Sequence, residues 1–279
     1  MTRPRAETTF AGPVGSLLRR WRGLRRMSQL ELALAAGVSP RHLSFVETGR
    51  ARPGRAVLLS LAAVLELPFR DRNAMLAAAG FAPAYRETGL SEPEMEQARR
   101  ALERILAQQE PYPATVVDRR WNIVMTNRAT DRWFGLLLPP DALADLADGG
   151  LNALKMMFDP ALLRPFVIDW PDTARTLLAR AHREALHGDD EAEALVEELR
   201  AMPGVPSDWR RDIGDGATPP VLAIGFRAGA LSVSWFTTMT TFGTPQNVTL
   251  QELRIECLFP ADAATERAAR DLAAGRSPG

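Results

Sequence analysis

Ser39, Pro40, Arg41, His42, Ser44 and Phe45 fall within seven consecutive positions, and their side chains can recognise a nucleic acid without making or breaking a covalent bond. A guanidinium fork matches the two acceptors on the guanine edge, hydroxyl and imidazole groups bond phosphate oxygens, and a phenyl ring can meet a thymine methyl. Each has a plainer reading beside it: Arg41 as a solvated charge, His42 as a phosphate or solvent contact, Phe45 as a ring packed on a neighbouring domain. Base contact is favoured for Arg41, and the two readings of Phe45 stay balanced.

The elements that must present these groups are legible in Met27 to Pro53, MSQLELALAAGVSPRHLSFVETGRARP. Ser28 and Glu31 have the spacing of a capping box, so a helix begins near Gln29, with Leu30, Ala33 and Leu34 at helical spacing. Gly37 supplies the left-handed residue that ends it, and Gly37-Val38 is the turn. Ser39 then caps a second helix whose first residue, Pro40, has no amide hydrogen to lose. Over Pro40 to about Thr48, Leu43, Val46 and Glu47 share one face. Arg41 and Phe45 lie opposite, flanked by His42 and Ser44. Glu47 is expected to hold an arginine of its own domain, and Gln29, at a helix start, to anchor a phosphate.

Covalent chemistry finds no candidate. There is no P-loop, dinucleotide fingerprint or GxSxG elbow, and Gly214-Asp215-Gly216 reads as a turn in a proline-rich loop. His182 and His187 are five apart, wrong for an i, i+4 metal pair. The cluster Asp189, Asp190, Glu191, Glu193, Glu197 and Glu198 reads as a helix start and a solvated face. Cys257 cannot form an internal disulfide and sits in a strand-like apolar run. No enzymatic activity, metal or cofactor is expected.

Charge divides the chain of 279 residues in two. Up to Arg86 there are fourteen arginines against five acidic residues, a surplus of nine positive charges that the remainder cancels. A basic module on an acidic body is the footprint of a protein that meets DNA at one end. With 46% apolar residues and nearly two hundred positions after the basic part, a second core is required. No apolar run reaches membrane-spanning length and the start has no signal-peptide pattern, so the cytoplasm is the expected location.

Beyond a linker at 86–94, a helix is predicted over Pro93 to Gln108 with Ser91 as its cap. Two strands, Ala114 to Val117 and Trp121 to Thr126, follow around the turn Asp118-Arg119-Arg120. Asn127 opens a helix with Trp133 and Phe134, and Leu151 to Phe158, Asp172 to His187 and Asp190 to Ala201 continue the helical pattern. Strands are predicted at Val221 to Phe226, Leu231 to Thr238 and Leu250 to Phe259, and Ala263 to Gly279 reads as a frayed tail.

The cap, small-residue helix, glycine turn, second cap and trailing Gly49-Arg50-Ala51-Arg52-Pro53 resemble the helix-turn-helix of the Xre, or lambda-repressor-like, family over roughly residues 14 to 80. The resemblance implies a five-helix domain with its third helix in the major groove. It places Gln29 on a phosphate or flanking base, Ser39, Arg41 and Phe45 near base edges, and Arg50 and Arg52 along the backbone. A second resemblance rests on PATVVDRRWNIVMTN, NALKMMFDP and TTFGTPQNVTLQELRIE, which begin at Pro113, Asn152 and Thr240. These look like the MmyB-type ligand-binding domain, a PAS-like sheet wrapped by helices. This second resemblance implies a dimeric transcription factor and an apolar ligand such as a fatty acid.

The expected fold is therefore α+β. An all-α five-helix DNA-binding domain at 10–85 is followed by a PAS-like domain at 95–262 with an antiparallel sheet of about five strands, and by a flexible tail at 263–279. Met125, Trp133, Phe134, Met156, Met157, Phe158, Phe166 and Trp170 are candidate ligand walls, each with core packing as its rival role. Arg175 or Arg254 is a candidate partner for a carboxylate head group, with surface salt bridging as the rival and no pattern selecting between them. Expected partners are double-stranded DNA at a roughly palindromic operator, a second copy of the chain and the apolar ligand, with no membrane. The competing view makes the second domain a protein-interaction or scaffold module, and a third makes it a haem or flavin sensor.

Overall fold

Local signals build the first five helices. In the computed structural model, which describes residues 12–147, 150–185, 190–209, 221 and 223–277, α1 (Pro13–Leu24) opens on a proline at its first turn. The box that starts α2 (Gln29–Ala35) is complete: Ser28 Oγ accepts from Glu31 N at 3.2 Å, and Glu31 Oε2 accepts from Ser28 N at 2.7 Å. Ser39 Oγ accepts from His42 N at 3.2 Å to start α3 (Pro40–Glu47), and α4 (Arg55–Val64) and α5 (Phe69–Ala78) follow.

All five end alike, in a left-handed residue whose successor donates its N–H to the carbonyl five positions back. Gly37, Gly49 and Gly80 do this without strain. Arg26 and Glu66 adopt the same conformation with a side chain attached, and Arg25 Nε ties the two ends together by donating to Leu65 O at 2.8 Å.

Leu18 and Trp21 of α1, Leu32 and Ala33 of α2, Leu43 and Val46 of α3, Leu58, Leu61 and Ala62 of α4, and Met75 and Leu76 of α5 form the core of this bundle with Leu65 and Leu67. One expectation fails here. Leu30 and Leu34 are 55% and 68% exposed, and Leu32 carries the burial with Ala33. A seven-residue helix offers too few positions for periodicity to choose between the two faces. Gly15 shows how closely α1 approaches α3, since a Cβ there would lie 2.4 Å from Glu47 O.

The chain divides into two compact units, the first running to Thr88 and also taking in Thr244–Gln251, the second comprising Gly89–Gly243 and Glu252–Gly279. Two hydrogen bonds tie the later segment into the first unit. Gln251 Oε1 accepts from Phe69 N at 2.6 Å, supplying the side-chain cap that Pro68 cannot, and Val248 N donates to Arg86 O at 2.9 Å.

The second unit is built on a five-stranded antiparallel sheet in the order β2-β1-β5-β4-β3. Its strands are β1 (Ala114–Val117), β2 (Ile123–Thr126), β3 (Ala223–Ala228), β4 (Leu231–Thr241) and β5 (Arg254–Pro260). The β1–β2 turn folds around Asp118, whose Oδ1 accepts from Arg120 N and Asn122 N at 2.8 and 2.9 Å. A 3-10 turn at Pro93–Met95 leads into α6 (Glu96–Gln108). Asn127 caps α7 (Arg128–Leu137), and α8 (Pro140–Ala147), α9 (Ala153–Phe158), α10 (Trp170–Ala185) and α11 (Asp190–Ala201) precede β3.

Three readings are corrected. Residues from Val248 to Glu252 form a short helix, α12, so the last strand begins at Arg254 and not at Leu250. The supposed tail is α13 (Ala263–Ala273), capped by Asp262, whose Oδ1 accepts from Thr265 N at 2.7 Å. Thr265, Ala268 and Ala269 are buried along it. Small residues hide such a stripe, because alanine contributes little to an apolar pattern. The turn before α6 carries no side-chain cap, so Ser91 does not serve as one. His187, Asp189, and Gly214, Asp215 and Gly216 lie outside the described residues.

Candidate nucleic-acid interface

The turn between α2 and α3 fixes which way the second helix faces. With Leu43, Val46 and Glu47 buried, the opposite side of α3 is left to solvent. Ser39, Pro40 and Arg41 are exposed, as are Arg50 and Arg52 just past the helix, whereas His42, Ser44 and Phe45 are half-buried along its flank. Arg41 Cζ stands 5.4 Å from the centre of the Phe45 ring, one turn along the same face. The ring restricts the long arginine side chain and leaves its donor fork free, lowering the entropy lost when the fork is used. Among the described residues, Arg41, Arg50 and Arg52 have no carboxylate partner.

Glu47 explains how this face is held. Its carboxylate is wholly buried and accepts from Arg22 Nε at 2.8 Å and Arg22 NH2 at 3.0 Å, a forked pair that locks α1 to α3. The hydrogen bond to Glu47 holds the Arg22 guanidinium above its ordinary value. Gln29 Nε2 donates to Glu47 Oε2 at 2.7 Å, so the first residue of α2 is oriented by the last residue of α3. The expectation that Glu47 holds an arginine of its own domain is met. Gln29 is half-buried, its amide nitrogen committed to this carboxylate.

The candidate ligand walls have a different setting. Trp133, Phe134, Met156 and Phe158 are buried in one core with Trp235, Phe226 and Leu178, and Met157, Phe166 and Trp170 pack against it. Trp133 meets Phe226 and Trp235 edge-to-face at 5.9 and 6.1 Å, and Phe158 meets Trp170 at 5.0 Å. Met125 stands apart from them. It lines an open groove of about 410 Å³ along β2, with Ile123, Val124, Thr126, Asp131, Leu143 and Leu146. Arg175 donates to Asp172 Oδ1 at 2.6 Å and to Asp208 Oδ1 at 3.1 Å, an exposed cluster.

A charged network with no sequence signature pins the hairpin to the rest of this unit. Trp121 adopts a left-handed φ of 68°, and the guanidinium groups of Arg180 and Arg254 each stand over its ring, 4.5 Å from its centre. Glu184 accepts from Trp121 Nε1 at 3.2 Å and from Arg254 NH1 at 2.5 Å. Burial pushes the neighbouring Glu256 carboxyl up despite both arginines. Burial likewise raises the Cys257 thiol, which fits a packing role more than a reactive one. Among the described residues, no group of three or more His, Cys, Asp or Glu is arranged to hold a metal, and no helix is long and apolar enough to cross a membrane.

An exposed basic face on a helix-turn-helix, joined to a separate sheet-containing domain, defines a helix-turn-helix transcription regulator. Residues 18–71 match the helix-turn-helix model, and residues 98–272 match the MmyB-like transcription regulator ligand binding domain. The latter spans well over half of the sequence, and the chain belongs to that family. An HTH-type transcriptional regulator of Mycobacterium tuberculosis (strain ATCC 25618 / H37Rv) is 29% identical over 198 residues, 67% of each chain. RghRB, an HTH-type transcriptional regulator of Bacillus subtilis (strain 168), is 37% identical over 76 residues, 27% of this chain and 52% of that protein. The clp gene regulator ClgR from Corynebacterium glutamicum is similar at 26% identity over 36% of this chain and 94% of its own, with a TM-score of 0.22.

Proposed function

We propose that the protein binds a roughly palindromic operator as a homodimer through α3, and that a small apolar ligand in the second unit changes its operator affinity. The observation that carries the DNA reading is the face of α3 and the segment just past it, where Arg41, Arg50 and Arg52 stand exposed and, among the described residues, without carboxylate partners, while Glu47 fixes the helix from behind. Ser39, Pro40, Arg41, His42, Ser44 and Phe45 face the major groove in this reading, Gln29 lies at its edge, and Arg50 and Arg52 follow the phosphates.

The ligand acts by coupling, with no chemical step. It alters DNA affinity only through a difference in its affinity for the two arrangements of the reading heads, and the effect is reciprocal. Covalent topology supports such coupling. The chain passes between the units three times, after Thr88, after Gly243 and after Gln251, so strands β4 and β5 are both continuous with a segment of the first unit. A fatty acid remains the ligand lead that the family resemblance supplies, and the aromatic and methionine side chains around Met156 and Phe158 suit an apolar chain.

Fluorescence anisotropy of the full chain on DNA recovered by in vitro selection tests both parts. Affinity for selected over bulk DNA should exceed about a thousandfold, with a steep fall as salt rises. An apolar extract that binds the protein should shift that affinity at least about fivefold, in either direction. Equal affinity for selected and bulk DNA would refute the operator reading, and binding of extract without any shift would refute the coupling.

A further inference from the structure

We infer that the groove along β2 binds a small amphipathic molecule whose polar end is a cation, an alkylammonium and not a carboxylate. The inference rests on the reading of the second unit as a ligand-responsive domain and adds to it a site apart from the side chains around Met156 and Phe158.

The groove lies against β2, the outermost strand of the sheet on this side, and α8 forms its other wall. Its volume of about 410 Å³ falls within the range of small-molecule sites, roughly 300 to 1,000 Å³. Ile123, Val124, Met125, Leu143 and Leu146 make most of the lining apolar, and Val124 is exposed although it is a β-branched aliphatic residue. Such a surface suits a hydrocarbon chain.

The polar lining is one-sided. Among the described residues Thr126 and Asp131 are its polar members, and none of those lining it is basic. Thr126 Oγ1 donates to Asp131 Oδ1 at 2.7 Å, which fixes the carboxylate at the groove wall. Among the described residues Asp131 has no cationic partner. Asp141 and Asp145 on α8, the helix that supplies Leu143 and Leu146, are exposed and add negative charge to that helix. A carboxylate head laid beside Asp131 meets like charge, whereas an ammonium pairs with Asp131 while its chain covers Met125 and the two leucines. Arg175 offers no alternative anchor for a carboxylate, since Asp172 and Asp208 already occupy its donors.

Titration calorimetry of the full-length protein with decylammonium and with decanoate, both below their micellar concentrations, tests the assignment. Decylammonium should bind about tenfold tighter than decanoate, a modest ratio because Asp131 is exposed to solvent. Asp131→Asn should abolish the preference while leaving the fold intact, and Asp131→Lys should reverse it. Val124→Arg, another exposed position, should weaken decylammonium selectively. Decanoate binding as tightly as decylammonium, a preference that survives Asp131→Asn, or no binding of either probe would overturn the groove assignment. Operator affinity that still responds to another apolar ligand in any of those cases would leave the ligand-responsive reading standing and place its site elsewhere.

Discussion

The two units hold their candidate recognition side chains in opposite ways. In the first, α3 buries Leu43, Val46 and Glu47 and leaves Arg41 bare, so the side chains proposed to contact DNA are those the core rejects. In the second, Trp133, Phe134, Met156 and Phe158 are the residues the core takes. Amphipathicity therefore sorts contact from packing in a reading head, where the partner is polar and charged. It cannot do so in a sensor for an apolar ligand, because the chemistry of a ligand wall and of a core is the same.

The sharpest way to break this contrast is Phe158→Ala. Wholly buried against Trp170, it should cost the second unit about 4 kcal/mol by cavity formation. Amide exchange read peptide by peptide should show the loss in α9 and α10 with α1–α5 unchanged. Little loss would mean that Phe158 borders a space a ligand fills. Next in size is Glu47→Ala, which strands Arg22 and frees Gln29. Because Arg22 is partly exposed and can reach water, the expected loss is about 3 kcal/mol, at the lower end for a broken buried pair. It should appear as faster exchange in α1 and α3, and unaltered protection there would contradict the view that this pair holds the reading face.

Smaller changes test the exposed face itself. Phe45→Leu removes the ring beneath Arg41 and should weaken operator binding by about 0.5 to 1 kcal/mol, while thermal unfolding stays the same. A loss of stability without a loss of affinity would assign Phe45 to packing. The smallest effect concerns the capping box. The Ser28 backbone N–H and hydroxyl hold the Glu31 carboxyl below its ordinary value, so the box contributes above the ordinary glutamate range and is lost as pH falls through that lowered value. Far-ultraviolet dichroism should show an acid-side decline in helix stability that Glu31→Gln flattens, and an identical acid limb in the variant would remove the box from the account.

What the sequence disclosed follows the same division. Ser28, Glu31, Gly37, Ser39 and Pro40 act within one turn of where they sit, so α2 and α3 were readable to within a residue. Arg26 and Glu66 end helices in a conformation glycine usually marks, and nothing in their chemistry announces it. Gly15 is tolerable anywhere in a helix start, and only the approach of α3 makes it necessary. Asp262 and Thr265 do have cap spacing, yet the small buried residues of α13 gave the helix no visible stripe. The β2 groove was hidden because Asp131 and Leu146 are brought together by the placement of α8, which local pattern does not encode.

The central claim is that α3 enters a duplex and that Arg41 reads a base from it. In vitro selection of binding sites by the full chain and by Arg41→Ala, at one salt concentration, tests it most directly. The account predicts that the wild type enriches a two-fold symmetric site with a guanine in each half, and that the variant loses preference at that position alone, by about 1 to 3 kcal/mol, while its bulk DNA affinity falls only slightly. An identical enriched site for both proteins would contradict it.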